Sequence, residues 1–328
     1  MDFIMLLAVN AFFAGAPVFT KIAASLLAAP TLVWIRHTVA FVVVYLVLQI
    51  RAPKSVPAQS MTWPDLARVA CSAFFSFTLA CVIQVEALQR CTASAGALMI
   101  ALEPIATMGL AVIFLHESFR RAHALALLVA FGGFLLLCGG SANYWEGSLL
   151  YLLSVMCEAL HPVLIRPLLQ RHAPQQLLAW CLFFASLYLL PLQNFSAWHA
   201  LTQVPAATWG ALFYLGVGCS AVAALLWLMT LVHLPVTTVA LSWFLQPVLG
   251  CALAVVVLGE SLTWNMLGGG ALILVAVGLL CRHESAVPQV TTRSAETPAT
   301  VPIPARRVWQ PLMKYSRSTE RYHGANSR

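Results

Sequence analysis

Leu102-Glu103-Pro104-Ile105 opens a stretch that runs to Leu115-His116-Glu117-Ser118, and the chain repeats it. The second copy reads Leu245-Gln246-Pro247-Val248 and runs to Leu258-Gly259-Glu260-Ser261. At an offset of 143 residues, eight of the eighteen positions from 102 to 119 are identical. Each copy sets a polar residue followed by proline at the centre of an apolar run. Hydrophobic chains built from two halves, with a proline-broken helix and a polar residue at mid-depth, follow the usual plan of secondary transporters, which bind substrate at such breaks.

Composition bounds the fold class. Of 328 residues, 61% are hydrophobic and 9% charged, against about 25% charged in soluble domains. A bilayer core about 30 Å thick takes roughly 20 helical residues. Ten apolar runs approach that length: 3–21, 31–50, 66–88, 92–115, 122–140, 148–166, 175–192, 207–230, 235–258 and 264–281. Unpaired amides are too costly in lipid, so these runs read as helices. A barrel would need alternating strands, and Phe41-Val42-Val43-Val44-Tyr45-Leu46-Val47-Leu48 does not alternate. The expectation is an all-α polytopic membrane protein whose first run is retained, since the usual basic start of a signal peptide is missing.

Charge sets the orientation. From Arg282 onward there are eight Lys/Arg and three Glu, while the body before it holds ten Lys/Arg and eight Asp/Glu. With the N-terminus inside, Arg51, Lys54, Arg68, Arg120, Arg121, Arg166, Arg171 and the basic tail fall on the cytoplasmic side. Lys21 and Arg90 fall outside, with loops 139–147, 193–206 and 259–263, which lack Lys and Arg. This is the positive-inside pattern. Both termini are then cytoplasmic in a bacterial plasma membrane.

The break between halves falls near Gly139-Gly140-Ser141. It gives a first repeat over 1–140 and a second over 141–283. Five helices per half is an odd number, so the ten helices form two inverted five-helix repeats. Pro17-Val18-Phe19-Thr20-Lys21 parallels Pro162-Val163-Leu164-Ile165-Arg166. Residues 284–328, rich in Pro, Thr, Ser and Arg, read as a disordered basic tail. The nine cysteines lack metal-ligand spacing and read as packing residues.

Glu103 lies mid-run, where an unpaired carboxylate is expensive and is functional by default. One that exchanges a proton suits proton-coupled transport; the alternative is a tie between two helices. Pro104 withholds one backbone hydrogen bond and frees a carbonyl a turn back. Gln246, with Pro247, is the neutral counterpart. Ser242 and Trp243 share its helix face, as a stacking wall with donors or as a packing patch. Glu158 and His161 share a face ahead of Pro162, as a proton relay, an amine site or a mutually satisfied pair. Asn10 and Arg36 complete the candidates, and Arg36 either holds a substrate carboxylate or pairs with Glu86. Pro17, Pro104, Pro162 and Pro247 are the expected helix breaks. Glu117 and Glu260 read as caps on the helix that follows each. His116-Glu117 is not a zinc motif, since Arg120 stands where HExxH needs His.

The Glu103-Pro104 and Gln246-Pro247 breaks, the Glu-Ser pairs after them, Gly268-Gly269-Gly270-Ala271 and the early Arg36 resemble the EamA-type branch of the drug/metabolite transporter superfamily. The resemblance covers about residues 1–283. It implies ten helices in two repeats and carriage of small organic metabolites, often outward. The resulting expectation is a secondary exporter of amino acids or related compounds, with proton coupling open. An uncoupled facilitator is the alternative, and an intramembrane enzyme a more remote one for want of a converging catalytic set. No cofactor, metal or nucleic acid is expected. The partners are a small-molecule substrate and the lipid bilayer, with a homodimer left open.

Overall fold

The computed structural model describes residues 2–51, 61–115, 121–139, 144–193, 204–233, 243 and 245–285. Ser242, His116, Glu117, the junction at 140–143 and the tail from 286 lie outside them. Ten apolar segments follow the ten runs. In chain order they are α1 (Asp2–Ala24), α2 (Ala29–Arg51), α3 (Trp63–Arg90), α4 (Ala93–Ile100 and Glu103–Leu115) and α5 (Arg121–Cys138). The second half holds α6 (Tyr144–Glu158 and Leu160–Ile165), α7 (Pro174–Leu189), α8 (Ala206–Thr230), α9 (Leu245–Leu258) and α10 (Trp264–Ser285). Among the described residues six are long and apolar enough to cross a membrane, seven if the bent pair of α4 counts as one span, and α5, α9 and α10 are shorter apolar helices. Large apolar side chains such as Leu128, Phe131, Phe213 and Val256 point outward. Water would penalise that surface, whereas a bilayer requires it.

The halves interlock. α5 packs on α10, α2 on α7 and α4 on α9. The remaining main contacts come in exchanged pairs. α3 packs on α6 and α7, as α8 packs on α1 and α2; α4 packs on α6, as α9 packs on α1. Renumbering each helix by five turns one set into the other, which is the signature of a two-fold relation between repeats. The first helix of each half therefore sits mainly against the third and fourth of the other half, and residues 1–287 form one compact unit.

Small residues let these helices touch. A Cβ on Gly133 of α5 would lie 2.7 Å from the Gly269 carbonyl of α10, and one on Gly269 would lie 2.6 Å from the Gly133 carbonyl. Without a hydrophobic drive between helices in lipid, such backbone contact supplies the attraction.

The breaks are local chemistry. Thr92 caps the first piece of α4 by accepting from Ala95 N–H at 3.1 Å. That piece ends in tight turns, Ala101 N–H to Leu98 O and Leu102 N–H to Met99 O. The chain bends by 41° and helix restarts at Glu103. Pro104 thus falls in a first turn, where its missing N–H costs nothing. In α6 the interruption is at Ala159. Pro162 has no N–H to offer the Glu158 carbonyl, and Ser76 of α3 supplies a hydroxyl, 2.9 Å from Cys157 O and 3.5 Å from Glu158 O.

Pro17 does not break its helix, contrary to expectation: α1 is continuous through it. The carbonyl that Pro17 leaves without an N–H is Phe13 O, and its neighbour Phe12 O is held from outside. Phe12 O accepts the Tyr214 hydroxyl at 2.8 Å and the Cys219 thiol at 3.2 Å, both from α8.

Two further departures from regular helix carry no proline. α3 is π-helical over Ala73–Leu79, and α8 over Tyr214–Ala223. They occupy matching places in the two halves. π turns widen the ring of backbone hydrogen bonds, rotate the face that follows and cluster at functional sites.

Candidate functional site

The breaks and the π turns converge on one cavity of about 160 Å³ between the halves. α2 contributes Arg36 and His37, the π turn of α3 Ser76 and Phe77, and the restart of α4 Glu103. α6 adds Glu158 and His161 beside its break, α8 adds Ser220 and Trp227, and Trp243 and Gln246 close the far side. Drug-sized pockets run to roughly 300–1,000 Å³, so this one suits a small solute.

Arg36 is 9% exposed. Its Nε–H donates to Ser220 Oγ at 2.6 Å. A guanidinium has five N–H groups, and the other four find no partner among the described residues. The Arg36–Glu86 ion pair weighed from sequence is not formed. Glu86 pairs with Arg90 one turn along, at 3.0 Å, and Arg90 also meets Glu146 at 3.3 Å. The local partner wins because an i,i+4 pair needs no rearrangement.

Glu103 is half-buried and accepts no hydrogen bond among the described residues. Glu158 receives one long contact, 3.5 Å from Gln84 Nε2. Glu158 and His161 share the cavity without bonding each other, so the mutually satisfied pair is ruled out. His161 Nδ1 instead meets Ser72 Oγ at 2.8 Å, and its ring stacks on Trp227 at 5.7 Å, with Phe77 edge-on at 5.1 Å. Gln246 is buried, and its Nε2–H donates to Asn10 Oδ1 at 2.9 Å. Asn10 in turn donates to Leu6 O at 2.7 Å. Asn10 thus supports the site from behind.

Ser76, Ser220, His37 and Trp227 were not singled out by sequence. The two serines stand 144 residues apart, close to the repeat offset, so pushing the self-comparison into the third helices would have found them.

The charged groups outside the cavity tie the two ends of the bundle. At one end Glu260 accepts from Ala93 N–H (2.8 Å), Ser94 N–H (2.9 Å) and Ser94 Oγ–H (2.8 Å), and Lys21 Nζ lies 3.3 Å away. It is a cap, but of α4, 167 residues earlier, and not of the helix that follows it. The reason is Gly259. Its φ of +66° turns the chain left-handed at the end of α9, and Gly259 N–H closes the helix on Val255 O. Glu260 is thereby thrown across to α4. Burial alone would raise the Glu260 carboxyl, but the Ser94 and Ala93 N–H groups, the Ser94 hydroxyl and Lys21 together hold it below the usual carboxylate value. At the other end Asp65 of α3 accepts from Arg171 at 2.9 Å and meets His172 at 3.1 Å.

A helical membrane bundle of two interlocked repeats around a small polar cavity is the class this geometry defines. Residues 2–139 and 145–282 each match the EamA-like transporter family, and the chain belongs to it. A curated relative from Streptantibioticus cattleyicolor, described as a probable terminal-alkyne amino-acid exporter, is 28% identical over 193 residues. That match spans 58% of this chain and 65% of the relative, less than two-thirds of its length. A solved structure described only as "Crystal structure of protein" matches with a TM-score of 0.58 and 18% identity. It covers 87% of this chain and 99% of its own, a likeness of fold.

Proposed function

We propose that this chain is a secondary exporter of small organic metabolites, amino acids or close relatives, in a bacterial plasma membrane with both termini cytoplasmic. The observation that carries this reading is the cavity between the halves, lined by Arg36 together with Glu103 and Glu158. A guanidinium and carboxylates facing one small space match the two ends of a zwitterion. The name of the Streptantibioticus cattleyicolor relative points the same way. Alternating access follows from the interlock: one repeat rocking on the other exposes the cavity to each side in turn. Protons supply the drive through the cavity carboxyls.

The test is counterflow in proteoliposomes. Vesicles loaded with unlabelled amino acids should accumulate labelled amino acid transiently, and a proton gradient should make accumulation persist. Counterflow without a response to the gradient would leave an uncoupled facilitator. No counterflow with any amino acid would overturn the substrate class.

A further inference from the structure

The cavity's charges do not balance. Arg36 is its one guanidinium or ammonium among the described lining residues, set against two carboxyls, Glu103 and Glu158. The other titratable groups facing it are His37, His161, Cys81 and Cys219, none of them a fixed cation. Arg36 spends one N–H on Ser220. Glu103 has no hydrogen bond among the described residues, and Glu158 has the one long contact from Gln84. Groups left this bare in a buried space are expensive unless something else completes them. With both carboxyls ionised the lining is one positive charge short, and a plain zwitterion, being neutral overall, does not supply it.

We infer that the ligand this cavity fits is a short diamino monocarboxylic acid of net charge +1, its carboxylate on Arg36 and one ammonium on each of Glu103 and Glu158. The inference rests on the exporter reading and narrows its substrate. The small volume limits the chain to a few carbons. Trp227, His161 and Phe77 also line the cavity, and aromatic rings favour an ammonium.

The same balance gives a stoichiometry. Without ligand, one carboxyl is neutralised by a proton. When the net-cationic ligand enters from the cytoplasm, its second ammonium replaces that proton, which leaves to the cytoplasm. When the ligand departs outside, a proton from outside returns to the bare carboxylate. One proton moves in for each ligand moved out. A neutral amino acid leaves the proton where it is and is not driven.

The test uses the full chain in proteoliposomes, with L-2,4-diaminobutyrate and L-2-aminobutyrate as probes of similar shape that differ by one ammonium. Competition against labelled diaminobutyrate counterflow should favour diaminobutyrate by about tenfold or more, the weight of a single buried charge contact. Glu158→Gln should erase that preference, and Glu103→Gln should do so independently should the first variant fail to fold. Equal or better competition by 2-aminobutyrate in the wild-type chain would overturn the inference while leaving an amino-acid exporter in place. Counterflow with neither probe, nor with any neutral or acidic amino acid, would overturn both readings.

Discussion

At the restart of α4, Glu103 faces the cavity with no hydrogen bond from any described residue. At the matching start of α9, Gln246 is buried and spends its amide on Asn10 of α1. The backbone setting is the same, polar residue then proline in the first turn, and the contacts differ completely. The copied element is a scaffold that brings a side chain to mid-depth. Glu103 is left facing the cavity, whereas the Gln246 amide ties α9 to α1.

The comparison breaks most sharply if the first site is made like the second. Glu103→Gln keeps the shape and removes the titrating group. Concentrative transport should fall to background while exchange down a gradient persists in reconstituted vesicles. Undiminished concentrative transport would move the coupling group elsewhere, with Glu158 next in line.

The converse change tests the locked site. Gln246→Leu removes the Gln246–Asn10 hydrogen bond from a buried setting, Asn10 being 0% exposed. Losing a buried hydrogen bond costs about 1 kcal/mol, to be read as a lower unfolding midpoint in detergent. Adding Asn10→Leu should recover part of the loss, because removing both partners costs less than removing one. A strictly additive double variant would show that the pair does not act together.

Glu260 sharpens the contrast from a third side, as a carboxylate with all the partners Glu103 lacks. Replacing it by Gln should cost about 1 kcal/mol, the weight of a charge at a helix N-terminus. Its folded pKa is depressed, so the stability it adds is present above the unfolded value of about 4.3. That stability is lost as pH falls through the lower folded value. Wild-type and Glu260→Gln melting midpoints should therefore differ at pH 7 and converge on the acid side. A difference that grows with acid would refute the assignment.

The smallest effect is expected from the part that belongs to neither copy. Ending the chain after Val287, where the compact unit ends, should leave membrane insertion and transport rates unchanged. An inserted but inactive truncation would give the tail a role in the transport path.

The apolar helices were legible because lipid leaves the backbone few choices, and the self-comparison pointed to the bend in α4 because proline follows Glu103 there. The π turns were not legible. Ala73–Leu79 and Tyr214–Ala223 have the composition of any spanning helix, and the change in register is settled by packing. Glu260 was read as a cap, correctly in kind and wrongly in target, because pattern reading looks along the chain and Gly259 sends the side chain across it. Of the candidate residues, Arg36, Glu103, Glu158, His161, Trp243 and Gln246 do meet at one cavity. Their convergence depends on helices from both halves, which no local window contains.

The interlock of first helices has a consequence for how the chain is made. α1 leaves the ribosome first, yet its principal neighbours are α8 and α9. α8 begins at Ala206, long after α1 ends at Ala24. At about 5–20 residues per second, α1 waits roughly 10 to 40 s in the bilayer before its neighbours arrive. During that time it must survive on its own hydrogen bonds and whatever the insertion machinery offers. Assembly is therefore a closing step, not a growing one, and quality control has a long interval in which to see an unfinished protein.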